Sequence, residues 1–357
     1  MLRFIAIRVL QFPLILAAIY LITFALAWVA PGDPFSAQTE GNDPQRVQEL
    51  RERFNVTSSW DFLTTYPVNL LRGEFGPSFS VRDKTVGQII ADTLPVSLAV
   101  GGLAIVIATG VGIAIGTLAA VRRDGVLDFV SLSIALIGVS VPSFVVAVTL
   151  LSSFAYGLEL LPLGGWPPGF SQPDAYLDLD PGLRETVVAE DGQVTYEWNL
   201  SFGQQVQLFF AAIPDYLRHM LLPALALSLL PMAYITRLTR VSMIDVLGND
   251  YIRTARAKGV GRLRVIFKHA LRNGLLPVLS FLGPATANIL VGSFIVETIF
   301  KLPGLGTFFI NSVTARDQPL ILGTVMVYSV LLLSLNLVVD VLYGIVDPRI
   351  SLTEGGK

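Results

Sequence analysis

Uncharged apolar runs recur along the chain at a length set by a lipid bilayer. Val9–Gly32, Thr93–Val121, Phe129–Leu158, Asn273–Val296 and Gln318–Val339 contain no Asp, Glu, Lys or Arg. A spanning helix needs about 20 such residues. A shorter run, His219–Thr236, carries Pro223 and Pro231 and brings the set to six. Neighbouring helices must then satisfy the backbone groups that proline frees. The first run follows Arg3 and Arg8, as the core of a signal peptide would. Such cores span only about 7–15 residues, so this one reads as a retained span. The pattern predicts an all-α membrane protein with six transmembrane helices.

Basic residues orient the spans, because cytoplasmic loops retain Lys and Arg. With the N-terminus inside, the inner segments hold Arg3, Arg8, Arg122, Arg123, nine basic residues from Arg237 to Arg272, Arg349 and Lys357. The outer segments are longer and more acidic, with nine acids between Glu159 and Asp215. Both termini are therefore expected in the cytoplasm. The chain divides into a first span (1–30), an extracytoplasmic segment (31–92), a five-helix core (93–350) and a short cytoplasmic tail (351–357). Within the core, 157–218 is an extracytoplasmic insertion and 237–274 a cytoplasmic loop.

In the first outer segment, Asp43 and Pro44 open a charged helical stretch to Phe54, as N-cap and first helical residue. The 157–218 segment is rich in Pro, Gly and aromatics, and a hairpin is expected near Asp191–Gly192. Two readings stand for it, a solvated loop or a docking surface for an outside partner.

Composition supports a bilayer as solvent: 53% of residues are hydrophobic and 15% charged, against about 25% charged in soluble domains. The chain has no cysteine and two histidines, His219 and His269. Disulfide scaffolds, thiolate chemistry and histidine-rich metal sites are excluded. No phosphate loop of the form G-x-x-x-x-G-K-[ST] occurs, nor H-E-x-x-H or G-x-S-x-G. The chain is expected not to be an enzyme and to hold no cofactor. Asp340 is the ionisable residue near the inner end of the last span. It reads either as an intramembrane functional carboxylate or as a group paired at the headgroups. Gly112 and Gly116 form a small-x-x-x-small pair that allows close helix approach. Polar relays for ion coupling are missing, so the energy source is expected on another chain.

The loop after the fourth run carries its own punctuation. Asn249 or Asp250 can cap a helix over Tyr251–Lys258, and Gly259 can end it in the left-handed conformation. After Gly261, Leu263, Ile266, Phe267, Ala270 and Leu271 form an apolar stripe at helical spacing. Arg262, Arg264, Lys268 and Arg272 surround it. Topology alone needs charges, not two short helices, so a projection that docks in a partner's groove is expected.

The run DYIRTARAKGVGRLRVIFKHALRNGLLPVL from Asp250 to Leu279 resembles the coupling loop of ABC importer permeases of the dipeptide/oligopeptide/nickel class. That family's general motif is Glu-Ala-Ala, three residues, Gly, then nine residues to Ile-x-Leu-Pro. Gly259 matches the glycine and Ala255 the second alanine. Arg253, Thr254 and Arg272 stand where the glutamate, first alanine and proline would be, as in the peptide branch. PGDP at 31–34, GEFGPSF at 73–79, TLPVSLAVG at 93–101, VPSFVVA at 141–147, LPLGG at 161–165 and ETIFKLPGLG at 297–306 resemble the first, B-type permease subunit.

The resemblance implies a type I ABC importer transmembrane domain in a bacterial or archaeal cytoplasmic membrane. It implies a second, homologous permease, two ATPase subunits or domains holding ATP and Mg, and an extracytoplasmic solute-binding protein; nucleic acid is not a partner. The cargo would be di- or oligopeptides, with nickel chelates, glutathione or oligosaccharides as alternatives within the class. A self-contained channel or ion-coupled carrier is the competing class. Arg253, Thr254, Ala255, Arg256, Lys258 and Gly259 would couple to the ATPases. Glu297, Pro303, Gly304 and Gly306 would form an outer gate or docking segment, or else a structural re-entrant turn.

Overall fold

The computed structural model describes residues 2–29, 59–81, 84–169, 172–188 and 194–346. The 31–34 motif, the helix expected over 43–54, the turn at 191–192 and the tail 351–357 lie outside the described residues.

Four helices are long and apolar enough to cross a membrane, or up to six if each of two bent pairs is one span. They are α1 (Leu2–Val29), α3 (Val86–Val121), α6 (Phe202–Gly248) and α11 (Gln318–Val346). The bent pairs are α4 (Val126–Ser140) with α5 (Ser143–Gly157), and α8 (Arg262–Gly274) with α9 (Leu276–Ile299). Three further helices flank them: α2 (Ser59–Leu71), α7 (Asp250–Ala257) and α10 (Leu305–Ala315). A two-stranded antiparallel hairpin joins β1 (Arg184–Val188) to β2 (Val194–Trp198), with Arg184 opposite Trp198. It is the hairpin expected in the outer segment.

Two of the predicted spans differ in shape. The run Phe129–Leu158 is not one straight helix, because α4 and α5 meet at 104°. Pro142 disfavours the helical conformation of the residue before it, and Val141 is extended at φ −95°, ψ 123°. The run His219–Thr236, by contrast, is the middle of a 47-residue helix that contains Pro214, Pro223 and Pro231. Helix α6 starts at Phe202, inside the segment 157–218 for which only a hairpin within a loop or docking surface was expected. Its start is a capping box: Gln204 N–H donates to Ser201 Oγ, and Ser201 N–H donates to Gln204 Oε1 at 2.9 Å. The same device opens α3, where Gln88 N–H donates to Thr85 Oγ1 and Thr85 N–H to Gln88 Oε1.

Helices α3 and α6 form the central pair and run parallel, with Gly112 facing Ile235 and Gly116 facing Thr239. In lipid the hydrophobic effect does not drive helices together, so close packing must do so. Gly112 and Gly116 supply it. A Cβ at Gly116 would lie 2.5 Å from the Thr236 carbonyl oxygen and 2.7 Å from Thr239 Cβ. One at Gly112 would lie 2.9 Å from Ile235 Cγ2. The small-x-x-x-small pair thus marks a backbone-to-backbone contact. Val100, Ala104, Leu222, Ala224 and Leu227 continue the seam toward one end.

Helices α1 and α11 run antiparallel at the periphery. Arg8 pairs with Asp340 at 3.2 Å near one end. Near the other, Tyr20 and Tyr66 pack on Leu322, and Tyr66 donates to the Pro319 carbonyl at 2.8 Å. Asp340 is therefore a paired carboxylate, and this structural pairing was one of its two expected readings. The start of α1, the end of α11 and the α7–α8 region lie at the same end of the bundle. The hairpin, α2 and α10 lie at the other.

Gly110 has no atom within 4 Å of its would-be Cβ. Gly116→Ala is expected to destabilise the protein by about 1–3 kcal/mol, while Gly110→Ala stays within about 0.5 kcal/mol of the parent. Thermal unfolding in detergent measures both; equal effects would contradict the close-packing account.

Candidate functional site

Two constructions stand out, one at each end of the α3–α6 pair. The first is the basic projection α7–α8. Asn249 leaves α6 in an extended conformation (φ −72°, ψ 151°), which redirects the chain into α7. Ile252 is completely buried among Ala120, Met243, Val246, Val265, Ile266 and Ala270. One apolar plug therefore fixes α7 to α3, α6 and α8 together. The helix ends as the glycine spacing predicts. Gly259 is left-handed at φ +77°, with Gly259 N–H donating to the Arg256 carbonyl at 3.0 Å and Val260 N–H to the Ala255 carbonyl at 3.2 Å. That is a Schellman closure, which favours glycine. No atom lies within 4 Å of a Cβ built there, so backbone conformation, not space, requires glycine.

Arg253, Thr254, Arg256, Lys258 and Gly259 are exposed around α7, and Ala255 is half-buried against the plug. The small side chain of Ala255 therefore serves packing within the chain. Arg253 lies 3.5 Å from Asp250, and both are well exposed, a geometry that contributes little to stability. Thr254 Oγ1 donates to the Asp250 carbonyl at 3.0 Å. A groove of about 490 Å³ opens beside α7, lined by Val121, Leu247, Val260, Val265, Ile266, Arg256 and Arg262. Arginine is suited to bidentate pairing with carboxylates, so this end can receive an acidic protein surface.

In α8, Val265–Ala270 is π-helical. Its widened turn shifts the register of the expected apolar stripe. Val265, Ile266 and Ala270 are buried, whereas Leu263 and Phe267 remain exposed. The expected single stripe is thus two: a buried face and a bare one.

A bidentate ion pair braces the same end. Arg240 of α6 donates to both carboxylate oxygens of buried Asp128, with Nη2–Oδ2 at 2.7 Å. Asp124 N–H donates to Asp128 Oδ2 at 3.0 Å. The sequence pattern missed this pair, since both residues sit at the edges of apolar runs and are 112 positions apart.

The second construction is the turn from α9 to α10. Helix α9 ends with Lys301 left-handed at φ +51° and Leu302 N–H donating to the Glu297 carbonyl at 2.9 Å. The chain reverses, and the Glu297 carboxylate, fully buried, meets the N-terminus of α10. Oε2 accepts from Gly306 N–H at 2.8 Å and from Thr307 N–H at 3.3 Å. Ser97 Oγ of α3 accepts from Leu305 N–H at 2.9 Å. A carboxylate there satisfies free N–H groups and complements the helix dipole. Gly304 and Gly306 make room for it: a Cβ would lie 2.3 Å and 2.8 Å from Glu297 Oε2. Pro303 is exposed at the apex. The LPLGG run docks on the same turn. Gly165 N–H donates to the Phe300 carbonyl at 2.9 Å, and a Cβ at Gly164 would lie 2.2 Å from that oxygen. Sequence reasoning singled out these residues but not the burial of Glu297; the Gly304 and Gly306 spacing was the available signal.

Elsewhere at this end, Tyr176 donates to Asp215 Oδ2 at 2.8 Å. Burial, and then that carboxylate, pushes its hydroxyl up to about 12. No group of three or more His, Cys, Asp or Glu among the described residues could hold a metal ion.

A helical bundle of membrane-spanning length, with a rigid basic projection at one end and a locked re-entrant turn at the other, defines a multi-pass membrane transport domain. Residues 112–352 match the family described as "Binding-protein-dependent transport system inner membrane component", and the chain belongs to that family. It is similar to the dipeptide transport system permease protein of Bacillus subtilis, 36% identical over 94% of this chain and 93% of that one. It is also similar to the oligopeptide transport system permease protein of Salmonella typhimurium, 35% identical over 98% and 99%. The dipeptide transport system permease protein of Lactococcus lactis is 34% identical over 95% and 97%.

Glu297→Ala leaves the N–H groups of buried Gly306 and half-buried Thr307 without their acceptor and is expected to cost about 2–4 kcal/mol. Glu297→Gln keeps one acceptor oxygen and is expected to lose less. Thermal unfolding of both variants in detergent checks this; a neutral Glu297→Ala would remove the capping role.

Proposed function

We propose that this chain is the permease subunit of an ATP-driven importer and forms half of a translocation path for di- or oligopeptides. The observation that carries the proposal is the α7–α8 projection, a short basic helix fixed to the core by Ile252 and ended by left-handed Gly259. The names of the relatives support peptides as cargo. The α7 end, with both termini, is read as cytoplasmic from its basic residues. The partners are a second homologous permease, two ATPase subunits or domains that hold ATP and Mg, and an extracytoplasmic solute-binding protein. This chain contributes no catalytic group and binds no cofactor of its own.

The mechanism follows from rigid connections. Carboxylates in the ATPase clefts pair with Arg253, Arg256 and Lys258. When ATP draws the ATPases together, α7 moves with them. The Ile252 plug passes that movement to α6 and α3, which are locked at Gly112 and Gly116. At the far end, α3 holds α10 through Ser97, and Glu297 holds the α9–α10 turn. The turn at Glu297, Pro303, Gly304 and Gly306 is thereby an outer gate displaced by the same lever. Such coupling requires that ATP bind the outward-open arrangement more tightly than the inward-open one. Nickel chelates, glutathione or oligosaccharides remain as alternative cargo.

Two outcomes check the reading. Mild-detergent extraction is expected to recover two ATPases and a second permease with this chain, and reconstituted vesicles are expected to accumulate peptide with ATP and binding protein present. Recovery of the chain alone, with transport driven by an ion gradient, would indicate a self-contained carrier. Gly259→Val places a β-branched residue at φ +77°, a strain of about 1–2 kcal/mol. It is expected to leave ATP hydrolysis running while uptake falls at least about tenfold, a loss of 1.4 kcal/mol in coupling. Unchanged uptake at normal expression would sink the assignment.

A further inference from the structure

The exposed face of α8 is not used by the α7 contact, and its pattern is specific. Leu263, Phe267 and Leu271 recur at intervals of four, as do Arg264, Lys268 and Arg272 one position later. On a helix this makes an apolar ridge beside a basic ridge. Leu263 is 71% exposed and Phe267 62% exposed, while Leu271 is half-buried at the end of the ridge. Arg264, Lys268 and Arg272 are all exposed. Among the described residues, none of the three has a carboxylate within ion-pair distance. The opposite face, Val265, Ile266 and Ala270, is spent on the core.

Position selects the occupant. Helix α8 continues into the spanning helix α9 after a bend of 55°. It is therefore tilted off the span axis at the level where the span leaves the hydrocarbon. A helix with Leu and Phe on one side and Lys and Arg beside them is the composition of an interfacial membrane helix. The apolar ridge enters the boundary between headgroups and acyl chains, and the basic stems reach the phosphates. Helix α7 differs in kind: its exposed positions are Asp250, Tyr251, Arg253, Thr254, Arg256 and Ala257, followed by exposed Lys258, and they form no apolar ridge.

We infer that α8 is a lipid-contact helix, and that Leu263 and Phe267 with Arg264, Lys268 and Arg272 form a docking surface for anionic phospholipid headgroups. This rests on placing the α7 end at the cytoplasmic leaflet. The two helices then divide the work. The ATPase holds α7, and α8 rests on the membrane surface as the fulcrum for its movement.

The test uses the complete transporter in nanodiscs. Phe267→Trp adds a reporter to the four native tryptophans, and its emission is read as the difference from the parent. Brominated phosphatidylglycerol is expected to quench the added emission on the order of twofold more than brominated phosphatidylcholine. Arg264→Gln/Lys268→Gln/Arg272→Gln in the same background is expected to abolish that preference while the ATPases still co-purify. Equal quenching by both lipids would overturn the anionic selection. Shielding from both lipids, relieved when the ATPases are stripped, would instead assign the ridge to the ATPase. Absence of ATPases from the parent complex would overturn the function proposed above, and the lipid readings would still be scored on their own.

Discussion

The backbone contact of α3 with α6 at Gly112 and Gly116 is the constraint on which the rest of this molecule depends. In a bilayer, leucine-rich helices gain nothing by leaving lipid for one another. A stable pair needs surfaces that approach closer than side chains normally allow. The Thr236 carbonyl oxygen fills the space that a Cβ would take at Gly116. The two longest spans are thereby one body. Each other feature of interest is attached to that body. The Ile252 plug fixes α7 at one end, Arg240 and Asp128 brace α4 to α6, and Ser97 fixes the start of α10 at the other end.

That arrangement suits a component that is moved rather than one that reacts. Among the described residues, the buried carboxylates lie at the ends of the bundle and are answered there: Asp128 by Arg240, Glu297 by the N-terminus of α10, and Asp317 by Ser78, Ser80 and the Leu320 N–H. Between those ends, the seam joins Val, Ala, Leu and Ile side chains to Gly112, Gly116, Thr236 and Thr239. On the function proposed above, energy arrives through contact with other chains, and α7 is the rigid basic element placed to receive it.

Much of this was legible in the sequence because the physics was local. Run length set the spans, Gly259 fixed the break after α7, and the glycine spacing in α3 announced a close approach. Asp340 found a partner in Arg8, as a carboxylate at the edge of a span should. What escaped depended on partners far away in the chain or on small departures from helical period. The run Phe129–Leu158 reads as continuous apolar sequence, yet Val141 before Pro142 cannot stay helical, and α4 and α5 diverge. Prolines pointed to a weak fourth span, but packing holds α6 helical across three of them. Glu297 was expected in an outer gate, a docking segment or a re-entrant turn, but its burial depends on the space that Gly304 and Gly306 leave for its carboxylate. The π-helical turn in α8 separated an apolar stripe into a buried face and an exposed ridge, a distinction that spacing counted at 3.6 per turn cannot make.

The most direct test is whether α3, α6 and α7 move as one body. The chain has no cysteine, so paired spin labels at introduced cysteines report single distances. Val106 on α3 is 66% exposed and Tyr251 on α7 is 42% exposed, so both accept labels without disturbing the core. The complete transporter would be measured without nucleotide and with nucleotide trapped by vanadate. The rigid-lever account predicts the same distance distribution in both states. A shift of about one helical turn, ~5 Å, would mean that α7 slides against the core, and the account of coupling would be wrong.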